Sequence, residues 1–180
     1  MQESAEKNTA IISLFFPKSN SFSNVMNNIK IDATDRKILR ELQNNAELGI
    51  TELATRVNLS STPCWRRVQK LQDAGVIRKQ VALLDPVKVG LNVSVFVHLK
   101  TRNHSHAWYV TFAEKIARYD EVAEFYRMSG EYDYLMRIVV ADIAAFDRFY
   151  KRLVEETPDL SDVTSSFAME QIKYTTALPI

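Results

Sequence analysis

The stretch Thr51–Gly75, TELATRVNLSSTPCWRRVQKLQDAG, constrains the fold more than any other part of the chain. It reads as two short helices joined by a tight polar turn. Leu53, Ala54 and Val57 recur at spacings of three and four and give the first helix one apolar face, with Thr51 placed to cap it. Asn58-Leu59-Ser60-Ser61 then supplies residues that tolerate a left-handed backbone or cap a helix, around one buried leucine. Ser61 or Thr62 is expected to cap the second helix, with Pro63 in its first turn, where a missing N–H costs nothing. Cys64, Val68 and Leu71 fall at i, i+4 and i+7 and are expected to pack inward. Arg66, Arg67 and Lys70 are left outside, and the hydroxyls of Ser60, Ser61 and Thr62 crowd the N-terminal end. Guanidinium and hydroxyl groups so placed reach base edges and phosphates when a helix enters the major groove.

The plainer reading is a helical hairpin with a solvated basic face. Asn58 stands where many such turns carry Gly, and the turn looks one residue longer than the shortest form. The flanks favour DNA. Asp32 to about Asn45 predicts a preceding helix, with Asp32 as N-cap, Asp35 in the first turn, and Ile38, Leu39 and Leu42 apolar. Gly75 suits a C-cap, and Val76–Leu84 reads as a short β segment. Three helices and a strand make a winged-helix-like unit.

The overall charge of +1 hides an asymmetry. Residues 29–80 hold 10 Lys and Arg against 6 Asp and Glu, a net of +4, whereas residues 81–180 hold 11 against 14, a net of −3. A basic module joined to an acidic one suits nucleic acid on one side and self-association or a small ligand on the other. The single cysteine points to a reducing cytoplasm, and its place on the packed face of its helix makes it a core residue rather than a redox sensor. No apolar run approaches the roughly 18–20 residues of a membrane span. Residues 1–28 look different, with scattered Ser and Asn and one cluster, Ile11–Phe16, ended by Pro17. No cleavage pattern follows that cluster, so no signal peptide is expected. Either these residues form a disordered arm or translation begins at Met26.

Asp85-Pro86 to Gly90 breaks the chain, and a second domain follows. Leu91–Lys100 alternates as a half-buried strand with Val93, Val95, Val97 and Leu99 on one face. A helix is predicted from about Ser105 to Tyr119, with Tyr109, Phe112, Ala113 and Ile116 on one stripe. Strands are predicted over Val122–Ser129 and Tyr134–Val140, around a turn at Gly130–Asp133. Asp142 caps a helix that repeats Phe146, Phe149, Tyr150 and Leu153 until Pro158, and a last strand runs from Val163 to about Lys173. The order βαββαβ is the ferredoxin-like split unit, one antiparallel sheet with both helices on one face. The fold class is therefore α+β: a winged helix-turn-helix domain over 29–76, a β-hairpin linker over 77–90, and a ligand-binding and oligomerisation domain over 91–180. Phe96, Phe125, Phe167 and Met169 are expected on the uncovered sheet face, where a second subunit would pair.

Several separated motifs occur in order at fitting distances: TPCWRRVQKLQDAGVI, VALLDPVKVGL, SGEYDYL and SSFAMEQIK. Together they resemble the Lrp/AsnC family of bacterial and archaeal feast/famine transcription regulators, over about Ile31–Ile180. The combination STPCW, VALLDP, MSGEYDYLMR and TSSFAMEQIKYTTALPI is most similar to the subgroup typified by a cysteine-responsive regulator of cysteine degradation. The resemblance implies a sequence-specific repressor or activator on a double-stranded operator, built from dimers into octamers or similar rings and sensing an amino acid. The N-terminal arm departs from the family pattern.

The resemblance also implies an effector site between dimers, against the turn joining the second and third strands and part of the last strand. Here that turn contributes Gly130, Tyr132, Asp133 and Tyr134, and Ile143, Ser166, Phe167 and Ala168 match other family positions near the pocket. The chemistry fits. A zwitterion needs a carboxylate such as Asp133 for its ammonium and free backbone N–H groups for its carboxylate, and Gly130 permits close approach. Without the family, a tight hairpin with Asp133 satisfying turn amides would be the simpler reading. His98, His104 and His106 lack a companion Cys or carboxylate cluster, so loop histidines are expected rather than a metal centre. No phosphate loop, nucleophile elbow or paired-carboxylate helix marks an enzyme, and no cofactor is expected. A nucleoid-associated architectural DNA binder and an amino-acid-metabolising enzyme stand as alternatives.

Overall fold

A helix starts after Asp32 because two carboxylates close its first turn reciprocally. In the computed structural model, which describes residues 29–180, Asp32 accepts from the Asp35 N–H at 2.8 Å and Asp35 accepts from the Asp32 N–H at 3.2 Å. Helix α1 runs Ala33–Asn44, α2 Ile50–Arg56 and α3 Ser61–Asp73. Ile38, Leu39, Leu53, Ala54, Val57, Cys64 and Leu71 form the buried core of this unit, with Leu42, Leu59 and Val68 packed against it. Each helix contributes the stripe that its spacing foretold.

The caps differ from expectation. Gly49, not Thr51, is the N-cap of α2, and Thr51 lies inside the helix, its carbonyl accepting from the Thr55 hydroxyl. Ser60, not Ser61 or Thr62, is the N-cap of α3, and its side chain makes no capping bond. Asn58 does the work expected of glycine: its φ of +58° is the left-handed conformation that ends α2, and the Leu59 N–H returns to the Ala54 carbonyl at 2.8 Å. Gly75, at φ +70°, follows the Ala74 C-cap of α3.

The segment expected as a β strand and hairpin linker forms no strand. Among the described residues no strand pairs with it: the Val76 and Ile77 N–H groups return to the Leu71 carbonyl, the Val89 and Gly90 N–H groups close a turn on Asp85 and Val87, and a lone extended segment is not a sheet. Val81, Leu83, Leu84, Val87 and Val89 are all exposed along it.

The second unit has strands β1 Val93–Thr101, β2 Val122–Arg127, β3 Tyr134–Val140 and β4 Leu160–Phe167, with helices α4 His106–Ile116 and α5 Ile143–Glu156. The sheet order is β2-β3-β1-β4 and every pairing is antiparallel, which is the expected split βαββαβ topology. Ser105 and Asp142 cap the helices by accepting from the N–H groups of Trp108 and Ala145. The core lies between the helices and one sheet face: Val95, Val97, Leu99, Met136 and Ile138 beneath Phe112, Ile116, Phe149 and Leu153. The last strand begins at Leu160 and ends at Phe167, six residues before the predicted end.

Two of the four residues expected on the open sheet face lie on the other. Phe125 stacks on Tyr134 at 5.4 Å inside the core, because a register shift between Val122 and Glu124 changes the parity of β2. Phe167 pairs with Val95, a core-facing residue, and its ring meets Phe146 of α5 at 5.2 Å. Phe96 does sit on the open face, and Met169 lies beyond β4, almost wholly exposed. The open face is partly ionic instead: Arg137 on β3 donates to Glu124 on β2 at 2.7 Å, and against the cost of burial the Tyr126 hydroxyl, then that guanidinium, hold the carboxyl below its usual range.

The described residues divide into one unit of residues 29–83 with Ile172–Ile180, and another of Leu84–Gln171. The last nine residues were expected in the second domain. The arm over residues 1–28, the Ile11–Phe16 cluster and the choice of Met26 as a start lie outside the described residues. Among the described residues no helix is long and apolar enough to cross a membrane.

Candidate nucleic-acid interface and effector site

On α3, Cys64 and Leu71 are fully buried, so the opposite side of the helix faces outward. Arg66 and Lys70 are exposed there, and Ser60, Thr62 and Pro63 are exposed at the N-terminal end, with Ser61 half-buried. The Ser60 hydroxyl, not spent on a cap, remains available to a ligand. Cys64 sits in the core, where burial pushes its thiol up from the usual value.

Arg67 is different. Its Nη1 lies 2.7 Å from Asp32 and 2.7 Å from Asp35, and the Asp35 side chain is only 1% exposed. The guanidinium therefore belongs to the fold, tying α3 to the first turn of α1, and the expectation that it stands free on the outer face is corrected. The bond partners lie 32 and 35 residues away in sequence, beyond the reach of helical periodicity.

Two residues passed over in the sequence share the outer surface of α3. Gln69 lies beside Arg66, half-buried, with its amide donating to Gln72 at 2.9 Å, and Trp65 is 53% exposed. Together with Arg66, Lys70 and Asp73 they line an open concavity of about 640 Å³. A wheel of 100° per residue sets Gln69 beside Arg66. The spacing carries that signal, but an amide and an indole bring no charge to mark them as DNA contacts.

In the second unit, Asp133 anchors the turn between β2 and β3. Its N–H donates to Leu99 at 2.9 Å, its carbonyl accepts from Met128 at 2.8 Å, and its Oδ2 accepts from the Thr101 N–H at 2.8 Å. The other carboxylate oxygen, Oδ1, is 3.9 Å from His104 Nδ1 and otherwise open. A cavity of about 170 Å³ opens beside it, lined by His104, His106, Tyr109, Arg127, Met128, Asp133 and Tyr134. Arg127, held over the Tyr109 ring at 5.5 Å, brings a cation to the cavity that already holds the Asp133 carboxylate. Gly130 has φ +128°, a conformation that side-chain-bearing residues rarely adopt. Tyr132 leaves the cavity and packs against His98 at 4.9 Å, beneath the Lys100 ammonium. The Tyr134 ring is 4% exposed and belongs chiefly to the core with Phe112 and Phe125, so burial pushes its hydroxyl up.

The remaining expected effector residues lie elsewhere in the subunit. Ser166 and Phe167 pair with Phe96 and Val95, and the Ala168 N–H donates to Ser94, whereas the turn meets Leu99 and Thr101 at the other end of β1. Leu99 lies four residues along the strand from Val95, about 13 Å. Ile143 begins α5 at the same end as Ala168 and is exposed. The eight residues thus form two groups within one subunit, and of them only Asp133 and Tyr134 border the cavity.

With this geometry in view, residues 31–78 match the family model described as winged helix-turn-helix DNA-binding, and residues 94–178 match the Lrp/AsnC ligand binding domain. The chain is 55% identical over 150 residues to the DNA-binding transcriptional activator DecR of Escherichia coli (strain K12), covering 83% of this chain and 99% of that one. It superposes with a TM-score of 0.79 on the crystal structure of an AsnC family transcriptional regulator from Agrobacterium tumefaciens, 57% identical, over 82% of this chain and 96% of that one. A transcriptional regulator from Neisseria meningitidis, solved as a complex with L-methionine, superposes with a TM-score of 0.78 at 37% identity, over 83% and 97% of the two chains.

Proposed function

The chain belongs to the Lrp/AsnC family of transcriptional regulators, and from that premise we propose that it reads an operator through the outer face of α3 and answers to a small amino acid held at Asp133. It is a DNA-binding transcriptional regulator with an amino-acid-binding domain. Arg66, Lys70, Thr62 and the Ser60 hydroxyl contact DNA, with Ser61 and Pro63 at the entering end of the helix. Gln69 adds a donor–acceptor pair suited to adenine. Arg67 holds α3 in place. The work is recognition rather than turnover, it needs no cofactor, and it takes place in the cytoplasm.

The observation that carries the effector reading is the open Oδ1 of Asp133 beside Arg127 in one small cavity. An ammonium and a carboxylate on one carbon match that pair of charges. Ile143, Phe167 and Ala168 complete the apolar wall from a second subunit, with Ser166 beside them, because the two groups occupy opposite ends of β1. Such exchange of unlike ends between copies is what a two-fold axis produces, and dimers then assemble into rings of octamer size or similar. Cysteine, small and sulfur-bearing, ranks first by the subgroup that the sequence resembles, with methionine the next to test.

Since Asp133 also accepts from the Thr101 N–H, alanine there would damage the turn as well as the site. Asp133→Asn keeps an acceptor and removes the charge. Calorimetry across the twenty amino acids is expected to find one that binds, with affinity at least about tenfold lower in Asp133→Asn, as loss of a charged partner costs about 1.5–3 kcal/mol. Undiminished affinity in that variant, or no amino acid bound below millimolar concentration, would refute the site.

A further inference from the structure

The segment Ile172–Ile180 closes the ligand-binding domain in sequence but groups with the DNA-binding unit in space. It is held on α1 by its backbone. The Gln43 side-chain amide accepts from the Leu178 N–H at 2.6 Å and donates to the Leu178 carbonyl at 3.3 Å, as a neighbouring strand would. Arg40, one turn earlier on α1, donates to the Ile180 carbonyl. The Ile180 side chain packs against the cluster that contains Ile38, Leu39 and Leu53. Two side chains of one helix therefore form a dock for an extended peptide, with an apolar anchor beside it.

The grip is shallow. Ile172, Tyr174 and Leu178 are 91%, 60% and 68% exposed, and only Ala177 and Ile180 are partly buried. Segments with few buried contacts open at small cost. The chain crosses between the two units at Leu83 and Leu84 and again at Gln171 and Ile172, so the segment, covalent to one unit, is held on the other by non-covalent contacts alone. It begins four residues after Ala168, whose N–H is fixed to Ser94 of β1 at 2.9 Å. Ten residues join Ala168 to Leu178, so the strap ties that strand end to α1 by a tether of at most about 35 Å.

We propose that the face of α1 bearing Arg40 and Gln43 is a docking site for the chain's own segment Ile172–Ile180, a releasable strap that carries the effector signal to the DNA-binding unit. Ligand seated against Phe167 and Ala168 shifts the end of β4, loosens Leu178 from Gln43, and changes DNA affinity through α1, to which Arg67 fastens the recognition helix. The signalling half rests on the effector reading above, whereas the dock does not.

The test uses the full chain with Gln43→Ala, and with Gln43→Glu, which keeps the acceptor and loses the donor. Hydrogen exchange without any ligand is expected to show the Leu178 amide at least tenfold faster in Gln43→Ala and close to wild type in Gln43→Glu. Equal exchange in all three proteins would overturn the dock. With L-cysteine and L-methionine as probes, Gln43→Ala is expected to bind either amino acid as wild type does by calorimetry. Its operator affinity, measured on DNA selected by the wild-type protein, is expected no longer to respond. A full response in Gln43→Ala would overturn the strap as the signal route. Failure of both amino acids to bind wild type would instead overturn the effector reading and with it the signalling half, leaving the exchange result to decide the dock.

Discussion

An Arg67→Ala protein is expected to unfold its DNA-binding unit with about 2–3 kcal/mol less resistance than wild type, measured by denaturant titration. The reason is the carboxylate left behind. Asp35 is almost fully buried and would retain only the Asp32 N–H as donor, while α3 would lose its polar tie to α1. A third of the Arg67 side chain is exposed, so solvent screens part of the loss, and the figure sits below that of a wholly buried pair. DNA affinity should fall for all sequences together, in proportion to the unfolded fraction, with the salt dependence unchanged.

Acid should act on the same contact. The Asp35 N–H, and then the Arg67 guanidinium, hold the Asp32 carboxyl below the usual carboxylate range. A group whose folded value is depressed contributes stability above its unfolded value, and that contribution is lost as pH falls through the folded one. The unit should therefore lose stability below about pH 4, and Arg67→Ala should weaken that dependence without abolishing it, since the Asp35 N–H still bonds the Asp32 carboxyl. An Arg67→Ala protein as stable as wild type, yet blind to its operator, would return Arg67 to the DNA-contacting set.

Arg66→Ala combined with Lys70→Ala carries the opposite signature. Both side chains are exposed and neither makes an ion pair among the described residues, so the fold should tolerate their loss. Operator affinity should drop by about 2–4 kcal/mol, if one reads a base and the other holds a phosphate. The two roles separate by salt. Losing a phosphate contact lowers the slope of log K against log salt by roughly one, whereas losing a base contact erodes discrimination between operator and bulk DNA. Gel-shift or fluorescence titrations at several salt concentrations distinguish them. Unchanged affinity and slope in the double variant would mean that another surface binds the DNA.

The contrast between Arg66 and Arg67 shows what the sequence could reveal. Helical spacing places both outside the apolar stripe, and local spacing is all that a window of residues contains. That Arg67 is claimed by Asp32 and Asp35 depends on how α1 and α3 cross. Elements with local causes were legible for the same reason: the Asp32 and Asp142 caps, the Phe146–Leu153 repeat, and the alternation of Val95, Val97 and Leu99. Phe125 was assigned to the wrong face because one shift of register in β2 reverses parity downstream. The β segment after Gly75 was read from its alternation, but alternation supplies no partner for the strand. The segment after Phe167 has no apolar period, so nothing local indicated that Gln43 and Arg40 would hold it. The effector residues came from resemblance, and the geometry splits them into two groups for a reason invisible in sequence: β1 runs between them.

Genome-wide mapping of bound DNA, with and without added cysteine, tests the central claim most directly. An effector-responsive regulator that reads its operator through α3 is expected to occupy discrete sites that share a two-fold related motif, with occupancy that shifts when the amino acid is added and disappears in the Arg66→Ala, Lys70→Ala protein. Even coverage along the chromosome, with no shared motif and no response to any amino acid, would contradict the account and describe an architectural protein instead.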